Sequence, residues 1–236
     1  MSSLANLFDE YSLRARIYPG FLTALPATSL VVLLWPKSPV STVWPLLVSV
    51  GALLFLANWV RDSGRAVEQE LIKRWGGMPT TLMLRHDGHN GGASFKRRRQ
   101  MLADLVGIPL PSAEEERADA KAANDVYVAA TRALITRVRA KQDLFPRVQD
   151  ENTNYGFRRN LLAMKKFGVP ITVAAISFDI AWLALQSGSA AWVLLALHGL
   201  VALSWLLVVN RDWVRRQGDN YANRLFETLE DPRLAA

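Results

Sequence analysis

The chain has 236 residues, half of them hydrophobic, with 28 Lys and Arg against 21 Asp and Glu, a formal charge of +7 and no cysteine. A disulfide scaffold, a thiolate metal site and a cysteine nucleophile are thereby excluded, and so much apolar residue excludes a disordered chain. The positive balance points to an anionic partner, either nucleic acid or phospholipid headgroups.

Mean hydropathy is only +0.09, but the apolar residues lie in four blocks with the charges between them. The blocks run from about Ile17 to Trp35, Thr42 to Val60, Val169 to Leu185 and Ala190 to Val209. Each approaches the ~20 apolar residues that a bilayer core requires. A core helix of a soluble protein keeps a polar face, and Leu46–Ala57 and Ala190–Leu203 have almost none, so four transmembrane helices are predicted. Arg14 and Arg16 precede the first block, but its length, Pro26 and the lack of a small-x-small site argue against a cleaved signal peptide.

Orientation follows from the flanking cations. Arg61–Phe167 holds 20 Lys and Arg against 13 Asp and Glu, whereas the connection Pro36–Ser41 holds only Lys37 and Gln186–Ser189 holds none. The positive-inside rule puts both termini and the middle region in the cytoplasm, with two in-out-in hairpins. Trp35 and Trp44 then mark the outer interface, Trp59 and Trp213 the inner one. The hairpins look like copies. Tyr11-x-x-Arg14 opens the first, with Pro26 15 residues after Tyr11; Tyr155-x-x-Arg158 opens the second, with Pro170 15 residues after Tyr155.

The middle region reads as helical. The second membrane helix continues through Arg65–Trp75 until Gly76, Gly77 and Pro79 stop it. Residues 86–92 form a loop. Ser94 is placed to cap a helix from Phe95 to about Val106, ended by Gly107 and Pro109. Ser112 and Glu115 form a capping-box pattern for one long helix from Ala113 to about Asp143, with Val126, Ala130, Ala133, Leu134 and Val138 as its apolar stripe. Pro146 breaks it. The tail after Trp213 suits an amphipathic helix through Tyr221, Leu225 and Phe226. The expected class is all-α: an integral membrane protein divided as 1–60, 61–167, 168–210 and 211–236.

Two sets of residues are candidates for function. Lys96, Arg97, Arg98 and Arg99 are four consecutive cations. Arg158 and Arg159 stand among amides and aromatics, and Arg132 and Arg139 share one helix face. Such groups suit an oligonucleotide, by phosphate pairing and base stacking, and equally suit lipid headgroups at a membrane border. Within the membrane blocks, Ser177, Asp179 and His198 are the polar residues of interest, as a pore lining or as helix–helix hydrogen bonds. His86, Asp87 and His89 lack a third partner at metal-ligand spacing, so a polar loop without metal or cofactor is expected. No phosphate-binding glycine loop, nucleophile elbow or histidine–carboxylate pair stands out, and no enzyme is expected.

Trp75-Gly76-Gly77-Met78-Pro79-Thr80-Thr81 and Glu151-Asn152-x-Asn154-Tyr155-Gly156-Phe157-Arg158-Arg159-Asn160 carry a resemblance. The chain resembles the four-span bacterial membrane effectors of antiphage defence, those of Hailong systems most of all. The resemblance implies a homo-oligomer of the bacterial inner membrane, a tetramer being one such assembly, that is channel-like. It implies a nucleotidyltransferase encoded nearby whose short single-stranded DNA product holds the effector closed. Loss of that ligand would open it and depolarise the cell. The rival readings are a non-conducting membrane scaffold and a small transporter.

Overall fold

The structure is a computed structural model that describes residues 10–34, 43–86, 92–185 and 189–235. Among them every regular element is helical. After a helical turn at Glu10–Ser12 and a π-helical turn at Leu13–Ile17 come α1 (Tyr18–Leu34) and α2 (Val43–Trp75). A one-turn helix at Pro79–Leu82 leads to α3 (Ala93–Val106), α4 (Ala113–Ala118) and α5 (Ala120–Ala140). A 3-10 turn at Gln142–Leu144 precedes α6 (Pro146–Leu185). Then follow α7 (Ser189–Leu203), a π-helical turn at Ser204–Val208, and α8 (Arg211–Glu227). Trp35, Lys37, Asp87, His89, most of the second connection and the Trp44 side chain lie outside the described residues.

The chain divides into two compact units. One is Met1–Glu70 with Thr153–Val214; the other is Leu71–Asn152 with Arg215–Ala236.

Among the described residues, two helical stretches are long and apolar enough to cross a membrane: α6, whose part from Thr153 on lies in the first unit, and α7 with its π-turn as Ser189–Val208. The most apolar window of each is only 22% and 17% buried within the chain. Leu185 and Leu207 are 83% and 71% exposed, and Trp192, Val193, Leu200 and Leu206 are also open. The packed part of the unit gathers Val60, Leu161, Met164, Trp205 and Val209. Glycines set the approach of its helices. A Cβ at Gly168 would overlap the Trp205 ring, and one at Gly20 would press on Leu56. Lys165 donates to the Val209 carbonyl at 2.7 Å, satisfying backbone at the end of the π-turn.

The second unit has an ordinary buried core of Leu84, Leu102, Tyr127, Leu134, Val138, Leu225 and Phe226. Its helix ends follow local chemistry. Gly76 and Gly107 take φ of 75° and 69°, where a side chain would be strained. Ser112 and Glu115 form the reciprocal capping box.

Several sequence expectations need correction. Residue 94 is not the cap of α3: Gly92 is the N-cap and Ser94 lies inside the helix. The long helix expected from Ala113 is two, because Asp119 leaves helical geometry and its carboxylate accepts from the Lys121 and Ala122 N–H groups. An Asp offers the backbone this alternative wherever neighbouring groups allow it. The buried stripe of α5 is Ala123, Tyr127, Ala130, Leu134 and Val138, rotated away from Val126 and Ala133. The stretch holding Arg158 and Arg159 is itself helical, continuous with the apolar C-terminal half of one 40-residue helix, α6.

Candidate functional site

The first unit places a chain of polar side chains among apolar helices. Asp179 on α6 and His198 on α7 are 1% and 0% exposed, and Asp179 Oδ2 lies 2.6 Å from His198 Nδ1. On the far side of the ring, Nε2 lies 2.8 Å from Ser29 Oγ on α1. Ser29 Oγ also lies 2.8 Å from the Pro26 carbonyl. With Asp179 as a carboxylate, which only accepts, the Nδ1–H of His198 is the donor. Three helices are thus joined by one line of hydrogen bonds, and neither buried ionisable group lacks a partner. That matters because an isolated charge in such surroundings is far costlier than a paired one.

Two sequence expectations change here. Asp179 and His198 are a histidine–carboxylate pair, although their 19-residue separation has no motif. Ser177 does not join them: it is exposed and donates to the Val173 carbonyl one turn back. Ser29, which nothing in its local sequence singles out, takes that place. Ser204, a further polar residue of the fourth block, is likewise exposed and donates to Leu200.

The candidate oligonucleotide contacts separate into two kinds. Arg99 is 8% exposed. Its guanidinium donates to the Leu84 and Pro111 carbonyls and, at 3.2 Å, to the Tyr127 hydroxyl. Arg98 lies over the Phe226 ring. Arg158 lies 4.8 Å from the Trp213 ring centre and donates to the Trp213 carbonyl. Arg159 pairs with Glu68 at 2.9 Å, the two side chains 12% and 22% exposed. These four cations hold helices together. Lys96, Arg97, Arg132 and Arg139 are open to solvent, Arg97 with a loose 3.8 Å ion pair to Glu230.

Arg99 belongs to a buried network. The Tyr127 hydroxyl donates to Glu116 at 2.6 Å, and the same carboxylate accepts the His86 backbone N–H. Burial pushes the Tyr127 phenol up to about 12, the bond to Glu116 adds to that, and Arg99 opposes it. Beside this network, a cleft of about 490 Å³ is lined by His86, Phe95, Lys96, Gln100, Asp104 and Leu110 among others. No cluster of three metal-ligating side chains occurs among the described residues.

No family model, curated protein or solved structure matches the chain.

Proposed function

We propose that the protein is a four-span, channel-like effector of a bacterial inner membrane that lowers the membrane potential when active. In this reading α1, the apolar part of α2, the C-terminal half of α6, and α7 with its π-turn cross the bilayer, and both termini are cytoplasmic. Copies of the chain assemble as a homo-oligomer, and the protein performs no catalysis of its own. The single observation that carries the reading is the Asp179–His198 pair. It is buried among helices whose outer faces are apolar and left uncovered. Water does not favour that surface, lipid does, and an ionisable pair kept inside such a bundle has a functional role by default.

The helical basic unit is assigned the ligand, a short single-stranded oligonucleotide. The solvent-open cations Lys96, Arg97, Arg132 and Arg139 support this, as does the resemblance to antiphage effectors, which also brings in a nucleotidyltransferase as partner. Reconstitution into liposomes with a potential-sensitive dye tests the whole. Depolarisation that short single-stranded DNA alters is expected. A membrane that holds its potential in every ligand state would leave the scaffold reading instead.

A further inference from the structure

We propose that Ser29, His198 and Asp179 form a proton-binding site inside the apolar unit, and that its occupancy controls ion flux. The second half rests on the channel reading; the first does not.

The geometry of Ser29 carries the inference. Its Oγ is 2.8 Å from His198 Nε2 and 2.8 Å from the Pro26 carbonyl, and its one proton can serve only one of them. With Nε2 bare, the hydroxyl donates to the ring. With Nε2 protonated, the ring donates to Oγ and the hydroxyl turns to the Pro26 carbonyl. In both states the Nδ1–H donates to Asp179. The gain or loss of one proton is therefore accommodated by rotating one O–H bond. No heavy atom moves, and every polar group is satisfied before and after.

The electrical change is large for the same reason that the atomic change is small. A neutral ring beside the carboxylate carries one negative charge, and the protonated ring makes the pair neutral. In a low-dielectric surround that difference is felt much further than in water. Among the described residues, the groups bonded to the ring are Asp179 from α6 and Ser29 from α1. Along α6 the next ionisable residue is Lys166 and beyond α7 it is Arg211, each 13 residues away, or about 20 Å of helix; beyond α1, Lys37 follows Ser29 by eight residues. On α1 Tyr18 is the only titratable side chain, and α2 has none before Arg61.

Ser, His and carboxylate in this order are also the makings of an acyl-transfer triad. Ser29 lies inside α1, however, where backbone N–H groups bond along the helix and none remains to hold an oxyanion. The arrangement stores a proton rather than activating a nucleophile.

The chain has three histidines, so His86→Gln with His89→Gln leaves His198 as the sole imidazole. Nitrogen NMR of that ring in the full chain, in lipid nanodiscs from about pH 5 to about pH 8, reads each nitrogen separately. Nδ1 should be protonated throughout, and Nε2 should gain its proton in one step. Asp179→Asn should abolish the fixed Nδ1–H. Ser29→Ala, which removes one oxygen, should move the step to another pH. A ring in one protonation state at all pH values, a step that ignores both variants, or covalent labelling of Ser29 by a fluorophosphonate would overturn the proposal. In proteoliposomes, flux should follow the same midpoint. Flux indifferent to pH while the ring titrates would overturn the control. A titrating ring with no flux at any pH would support the proton site and sink the channel reading.

Discussion

Asn160 donates its side-chain amide to the Ala15 carbonyl at 2.6 Å, across 145 residues of sequence. The two are 1% and 0% exposed. Gly64 on α2 lies against the same amide, and a Cβ there would overlap the Asn160 oxygen and stand 3.3 Å from Arg159 Nε. Gly64→Ala should therefore cost about 1–3 kcal/mol by overpacking. Gly199→Ala, with nothing within 4 Å of its added carbon, should leave the unfolding midpoint in detergent unchanged or raised. Equal effects of the two would contradict this packing.

The Tyr127 phenol makes the second unit sensitive to alkali. Its folded value of about 12 exceeds the ordinary 10.0, so the folded state holds the proton longer than the unfolded chain does. The stability this contributes is whole below pH 10 and is lost as pH rises from there through about 12. Denaturant midpoints should fall over that window in the wild type. In Tyr127→Phe the fall should be shallower, and an unchanged slope would remove Tyr127 as its source.

Arginines that look alike in sequence should part company in mutants. Arg99→Gln leaves two carbonyls and the Tyr127 hydroxyl without their donor, at about 1–3 kcal/mol for such a buried loss. It should lower thermal stability. Lys96→Gln, Arg97→Gln, Arg132→Gln and Arg139→Gln should leave stability within about 0.5 kcal/mol. Each should instead flatten the salt dependence of single-stranded DNA binding, by about 0.7 for every phosphate that is no longer neutralised. Fluorescence anisotropy across a salt series checks both sides.

Leu200 is 64% exposed on α7. In water, Leu200→Arg would be a harmless surface change. In a bilayer, an arginine at mid-helix costs about 2.5–3.5 kcal/mol. Carbonate extraction of cell membranes should recover less of the variant than of the wild type in the pellet. Equal recovery in the soluble fraction for both would contradict the spanning assignment.

What is legible in the sequence follows from local chemistry. The all-helical class, the stop at Gly76 and Gly77, the Ser112 box and the apolar tail residues Leu225 and Phe226 each depend on a few adjacent residues. The break at Asp119 escapes a sequence reading because a capping carboxylate looks like any charged residue on an exposed helix face. Arg98 and Arg99 look equivalent to Lys96 and Arg97 because burial depends on Tyr127, Leu84 and Phe226, which the fold brings from elsewhere. Ser29 is invisible for the same reason: its partner His198 is 169 residues away. Asp179 alone announces itself, since an acid within an apolar run is costly wherever the run folds.

The central claim is that the buried Asp179–His198 pair serves ion flux. The most direct measurement is ion flux through proteoliposomes for wild type, Asp179→Asn and Ser177→Ala, with circular dichroism to show that all three are folded. Flux should fall at least tenfold in Asp179→Asn, about 1.4 kcal/mol in barrier height, and stay at the wild-type level in Ser177→Ala. Folded Asp179→Asn protein that conducts as well as the wild type would contradict the claim.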